Sequence, residues 1–324
     1  MPLKMTSKVL YRAENTAISF VLLSRGTGIN VICKDDGAPV QGTHLWGKTD
    51  TIAMLLNRGT NINANSINTK ISMLWEDVAA RLQDCDSSVD GKFVDGKTPL
   101  YRACEKRNIE AIGALIDRGA DVNAKSKNGK TPLLLACEEG ETIIAAMLLD
   151  RGADVNTRSR DDSTPLHWAC QRGKTDIAIM LLDRGADVNA KSTDDSTPLH
   201  WACKMGWTDT AAMLLDRGAC VNAKSIDATP LHWACQEGNT ETAALLLDYK
   251  ADINARSMDN KTPLHWACLW GNTDTAALLL DRGADANAFT IDGDTPEDIA
   301  DREGHSETVH LLRMRSGWFD NLVG

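Results

Sequence analysis

Thr164–Asn189 reads TPLHWACQRGKTDIAIMLLDRGADVN, and its punctuation is that of two short helices. Thr164 before Pro165 suits a helix start: a hydroxyl at the N-cap, then proline at the first helical position, where no amide donor is missed. Leu166, Trp168, Ala169 and Cys170 supply the apolar face of the first helix, and Gly173 suits the left-handed conformation that closes it. In the second helix Asp176 lies in the first turn and Arg184 in the last, each with the helix dipole. Ile177, Ala178, Leu181 and Leu182 form one apolar stripe at helical spacing. Gly185 ends the helix, and Ala186 to Ser196 is a polar, Asp/Asn-rich turn leading to the next Thr-Pro.

A pair of helices this small cannot bury its apolar faces alone, so copies must stack. The stretch recurs from Thr197, Thr229 and Thr262, and looser copies begin at Met5, Ala38, Ile71, Thr98, Thr131 and Thr295, about ten units in all. The Thr-Pro-Leu-His start, the glycine, the Leu-Leu pair and the Gly-Ala-Asp-Val-Asn end resemble the ankyrin repeat, whose pattern is TPLHxAxxxGH followed by LLLxxGADVNA. The resemblance implies an all-α solenoid of stacked helix-turn-helix units joined by hairpin-like loops. Residues 98–312 read as the regular array, with 295–312 as a capping unit whose charges would meet water. Residues 1–97 read as degenerate units, and 313–324 as a short tail carrying Trp318 and Phe319 that folds back or hangs free. The unit at 71–97 is six residues short, which leaves open a trimmed helix or a bend, and with it an interruption of the array around 76–92. Lys250 stands where other units have glycine after the second helix, a weak spot costing on the order of 1 kcal/mol.

Three constellations suggest chemistry. His-Trp-Ala-Cys occurs at His167/Cys170, His200/Cys203, His232/Cys235 and His265/Cys268, two zinc-type ligands on one helix face. A capping role for each His, which follows the N-cap Thr by three, explains it better, because ligands on stacked helices are about 8–10 Å apart. The cysteines at 104, 137, 170, 203, 235 and 268 form a ladder, one per unit, too widely spaced for disulfides. With an odd total of nine and no secretory signal, they read as buried packing residues in a reducing, cytoplasmic protein. Trp75, Trp168, Trp201, Trp233 and Trp266 share one repeat position, where the family commonly has Leu. They are expected to fill the core between helices rather than stack bases, at a truncation cost of about 3–5 kcal/mol.

No phosphate loop, nucleophile elbow or catalytic carboxylate pair stands outside the repeat grammar, so an enzyme and a small-molecule substrate are not expected, nor is a cofactor or metal. A net charge of −10 without a basic stripe disfavours nucleic acid, and no 18-residue apolar run predicts membrane insertion. The reading is a non-catalytic scaffold for another protein. The resemblance places the partner on the concave side, formed by loop tips and first helices. There the composition turns apolar along the chain, and a site is expected at Met205, Trp207, Ile226, Met258, Leu269 and Trp270, with Phe289 and Ile291 nearby. Competing readings are cover of these residues by the Trp318/Phe319 tail, an adaptor recruiting a bound protein to an enzyme complex such as a ubiquitin ligase, and a spacer without a ligand.

Overall fold

The computed structural model describes residues 89–93 and 95–315, so the expectations for the units from Met5 to Ile71, the break around 76–92, Trp75, Trp318 and Phe319 lie outside the described residues. Among the described residues there are fourteen helices and no strand. They are α1 Pro99–Glu105, α2 Ile109–Asp117, α3 Pro132–Glu139, α4 Thr142–Asp150, α5 Pro165–Gln171, α6 Thr175–Asp183 and α7 Pro198–Lys204. Then come α8 Thr208–Asp216, α9 Pro230–Gln236, α10 Thr240–Asp248, α11 Pro263–Leu269, α12 Thr273–Asp281, α13 Pro296–Arg302 and α14 Ser306–Arg315. Each Thr-Pro opens a first helix, with the threonine extended at the N-cap and the proline inside the first turn. The backbone falls into two compact units, one ending at Lys127 and one beginning at Asn128. In the first, α1 packs on α2, and the Lys127 amide donates to the Asp95 carbonyl at 3.2 Å.

The second unit is six helix pairs in register. First helices pack on first helices (α3, α5, α7, α9, α11 and α13 in turn), and second helices likewise from α4 to α14. Its core is repetitive: Leu166, Leu199, Leu231 and Leu264 from the first helices, Leu148, Leu181, Leu214, Leu246 and Leu279 from the second, all essentially inaccessible. The six ladder cysteines are buried free thiols, and loss of hydration pushes the Cys104 and Cys268 thiols up to about 12 and the four between them higher still. Cys220, by contrast, is exposed, at the position where Asp187 and Asp285 stand in other units.

Polar residues that recur in most units fasten one to the next. The Nδ1 of His167, His200, His232 and His265 accepts the amide of its own N-cap threonine at 3.1–3.2 Å. That leaves the proton on Nε2, which lies 3.1–3.3 Å from the carbonyls of Ser196, Ala228, Lys261 and Asp294 at the head of the following unit. Threonine hydroxyls pair across units at 2.7–2.8 Å (Thr175 with Thr210, Thr208 with Thr242, Thr240 with Thr275, Thr273 with Thr308). Asn189 donates to the Gly218 carbonyl at 3.1 Å and accepts the Cys220 amide at 2.8 Å. Outside, Arg184, Arg217, Arg282 and Arg315 reach Asp150, Asp183, Asp248 and Asp281 at 2.5–2.9 Å; such exposed pairs contribute at most about 1 kcal/mol each. Tyr249 takes the arginine's place once and donates its hydroxyl to Asp216.

Candidate protein-binding face

On the first helices, burial alternates as a 3.6-residue period requires. Leu166, His167, Ala169 and Cys170 are buried, while Trp168 between them is only half-buried, and Trp201, Trp233 and Trp266 repeat this. This corrects the expectation of core tryptophans. The position lies on the flank of the helix, so part of each indole reaches solvent and the rest packs against its neighbours. The indole N–H groups of Trp168 and Trp266 are themselves buried, so the exposed part of each side chain is carbon. Trp201 and Trp233 meet edge-to-face, centroids 5.5 Å apart at 84°, and Trp233 and Trp266 make similar contacts with the rings of His200 and His232. Lysines sit on this row: Lys130 Nζ is 5.0 Å from the Trp168 ring, and Lys204 Nζ is 5.7 Å from Trp201 and 5.0 Å from Trp233. Because Lys130 belongs to a loop and Lys204 to a helix end, these contacts put loop, tryptophans and helix end on one face.

At the C-terminal ends of these helices stand the residues singled out from the sequence. Met205 and Trp270, both C-cap residues, are 46% and 57% exposed, and Leu269 is half-buried. The amides of Met205 and Trp270 bond back to Trp201 and Trp266, one turn earlier, so each lies on the same stripe as a ladder tryptophan. Between the two, at the same position on the intervening unit, is exposed Glu237.

Trp207 has a second occupation. Its indole N–H donates to the Gln171 carbonyl at 3.2 Å, and its ring covers Gly173, where an added Cβ would meet the ring at 2.5 Å. Gly173 is left-handed (φ +63°) and bare, which lets the ring lie flat on it. Asn239, Asn272 and His305 cap the preceding first helix from the same position in their units. Trp207 therefore substitutes for a capping side chain while staying 42% exposed.

The loop tips form a second row. Ile226, Met258 and Ile291 occupy one position in three successive tips and are 57%, 71% and 69% exposed. Tip joins tip: the amides of Thr193, Ile226 and Ile291 donate to the carbonyls of Asp161, Asp194 and Asp259 at 2.9–3.1 Å. A column of aspartates, Asp161, Asp194, Asp227, Asp259 and Asp292, runs alongside. Partial burial works against ionisation of Asp161 and Asp194, but the hydroxyls of Ser159 and Ser163, and of Ser192 and Ser196, outweigh it and hold both carboxyls below their ordinary range. Those partners are neutral, so the charge is kept. Among the described residues only Asp259 of these five is in a close ion pair, with Lys261, while Arg302 acts on Asp292 from further away.

Sequence reading missed the partial exposure of the tryptophans and the lysines over them. The signal was present in the four-residue spacing from Trp266 to Trp270 and from Trp201 to Met205. As for the His-Cys pairs, both ring nitrogens of each histidine are engaged in hydrogen bonds, and among the described residues no three His, Cys, Asp or Glu side chains converge as a metal site. No described helix is long and apolar enough to cross a membrane.

A family model described as ankyrin repeats (3 copies) matches residues 72–159, 115–192, 185–257 and 255–317. The crystal structure of the human ASB11 ankyrin repeat domain is similar at 28% identity with a TM-score of 0.62, over 68% of this chain and 98% of that one. The ankyrin repeat domain of Bcl-3, described as a unique member of the IkappaB protein family, is similar at 28% identity with a TM-score of 0.58, over 68% of this chain and 99% of that one. No curated protein matches the chain.

Proposed function

The chain belongs to the ankyrin-repeat family, and from that premise we propose that it is a non-catalytic scaffold that binds another protein on the face carrying its loop tips and first helices. Ankyrin repeats generally serve protein–protein interaction. The observation that carries the proposal is the recurrence of exposed apolar side chains in successive units: Ile226, Met258 and Ile291 at the tips and Met205 and Trp270 at the helix ends, with the half-buried tryptophans on the same first helices. Large apolar groups left in water in one region, rimmed by charge, are what an interface core needs before its partner arrives. The recurrent His, Thr and Asn are spent on holding units together, which leaves the variable positions for recognition. Leu269 belongs to the proposed surface as a half-buried flank, and Trp207 as a contact whose removal would also disturb a cap.

The test is quantitative capture from cell lysate, comparing the intact chain with Met205→Ala/Ile226→Ala/Met258→Ala/Trp270→Ala at unchanged helicity. Trp207 is left alone, so that a loss reports surface and not stability. A protein retained by the intact chain, lost with the variant and then shown to bind directly when purified supports the reading. Equal recovery by both would remove this face as the interface.

A further inference from the structure

The partner chemistry can be narrowed, on the premise that this face is the interface. Four tryptophans occupy one position on α5, α7, α9 and α11, and the chain supplies a cation to three of them: Lys130 to Trp168, and Lys204 to both Trp201 and Trp233. Trp266 is the exception. Its neighbour is the edge-on ring of His232 at 5.5 Å, and no Lys or Arg lies over it among the described residues. The places that supply the other cations are neutral here: Lys204's place is Leu269 on α11 itself, and Lys130's place ahead of α9 is Ala228. The position that Lys204 holds on α7 is Gln236 on α9, a neutral side chain whose amide donates to the Glu237 carboxylate at 3.0 Å. Around Trp266 the surface has what an ammonium or guanidinium seeks. Trp270 stands one turn on and 57% exposed, and Glu237 is exposed at the equivalent point of the adjoining unit, in no ion pair among the described residues. Indole is the best of the aromatic cation acceptors, and the half-buried position of its ring strengthens the attraction by limiting competing water.

We infer that Trp266, Trp270 and Glu237 form a receptor for a lysine or arginine side chain of the partner, which completes the row of covered tryptophans. The occupant is a basic protein segment with apolar anchors. The cation seats on Trp266 against Glu237, and the apolar side chains meet Met258 and Ile291. Charge complementarity argues for this occupant: the chain carries a net −10, and among the described residues only Asp259 of the aspartate column beside the tips is in a close ion pair, so a basic segment is drawn toward this face over a Debye length before it docks.

The test uses a fluorescein-labelled amphipathic Leu/Arg peptide and its Leu/citrulline twin, which keeps the planar shape but replaces the charged guanidinium with a neutral urea. Binding to the intact chain is followed by anisotropy. We expect the citrulline peptide to bind at least about tenfold more weakly, and Trp266→Leu to weaken the Arg peptide about five- to tenfold. Trp168→Leu, whose ring Lys130 already covers, should change nothing, and Glu237→Gln should lower affinity and flatten its salt dependence. Gln236→Lys is the sharpest arm: by copying Lys204 it supplies the chain's own ammonium to Trp266, and should compete the peptide's cation away by a similar factor. Equal binding of the two peptides, equal effects of Trp266→Leu and Trp168→Leu, or no saturable binding would overturn the inference. The scaffold reading would outlive that result if lysate capture were still lost with the apolar surface variant.

Discussion

At the scale of single residues, the backbone conformation after the second helix is written in the sequence one letter at a time. Gly185, Gly218 and Gly283 sit at φ +87° to +89°, and Lys250 is forced to +67° in the same place. An L side chain there costs on the order of 1 kcal/mol, so Lys250→Gly is expected to raise the urea midpoint, and an unchanged or lower midpoint would show that the lysine repays its strain elsewhere. Gly173 makes a different demand, because there a ring occupies the space. Gly173→Ala should cost more than Gly152→Ala, which has the same backbone sign but nothing within 4 Å of its added Cβ, by about 1–2 kcal/mol. Because the excess belongs to Trp207, it should vanish in a Trp207→Ala background, which a double-mutant cycle reads directly. Lys250 was legible in the sequence as a break in a repeat. The Gly173–Trp207 contact was not, since the two residues lie in different units and only the stacking brings them together.

At the scale of the helix, the four histidines join each first helix to the loop ahead of the next, and they do so neutral. Burial is the main cause that lowers their pKa, to about 4 for His200 and His232, with neighbouring histidines adding to the effect at His200. His167 and His265 are lowered in the same direction by the same cause. Since an unfolded histidine titrates near 6.5, the unfolded chain takes up protons first as the pH falls. The contribution of these residues to stability is therefore complete above about pH 6.5 and is lost progressively from there down through about pH 4. Urea midpoints between pH 7.5 and 4 should fall along that window, and His200→Gln/His232→Gln should be weaker at pH 7.5 but flatter below it. A parallel decline in both proteins would assign the acid sensitivity to carboxylates. The bond from each histidine to its own threonine could be read from their spacing of three. The bond to the next unit, about thirty residues on, could not. The tryptophans show the same division: their position in the helix is periodic and plain, but whether a flank residue is covered depends on the side chain that the adjoining unit presents, and so does the presence of Lys204 across two rings.

At the scale of the stack from Asn128 onward, each helix pair touches its neighbours in sequence and few others, so stability should behave as a sum of units and the contacts between adjacent ones. This has opposite consequences for two deletions of comparable size. Removing Thr197–Ala228 joins Ser196 to Thr229, a Ser-Thr-Pro junction identical to the one it replaces, and lets His167 keep the Ser196 carbonyl and α5 find α9 as it had found α7. The shortened protein should fold, with a lower midpoint and one unit's worth less helix. Ending the chain at Asp294 instead strips α13 and α14 from α11 and α12, and with them the Thr273–Thr308 pair and the His305 bond to the Leu269 carbonyl. The outward charges of that unit, Glu297, Asp301, Arg302 and Arg313, go as well, so a bare apolar helix face meets water. That truncation should broaden the unfolding transition at the α11–α12 end and associate in light scattering, while the internal deletion stays monodisperse relative to the intact chain. If the internal deletion were the more damaging, coupling would reach beyond nearest neighbours. The stack would then act as one cooperative body, and changes at Trp266 would have to be read through their effect on every unit rather than on the local surface alone.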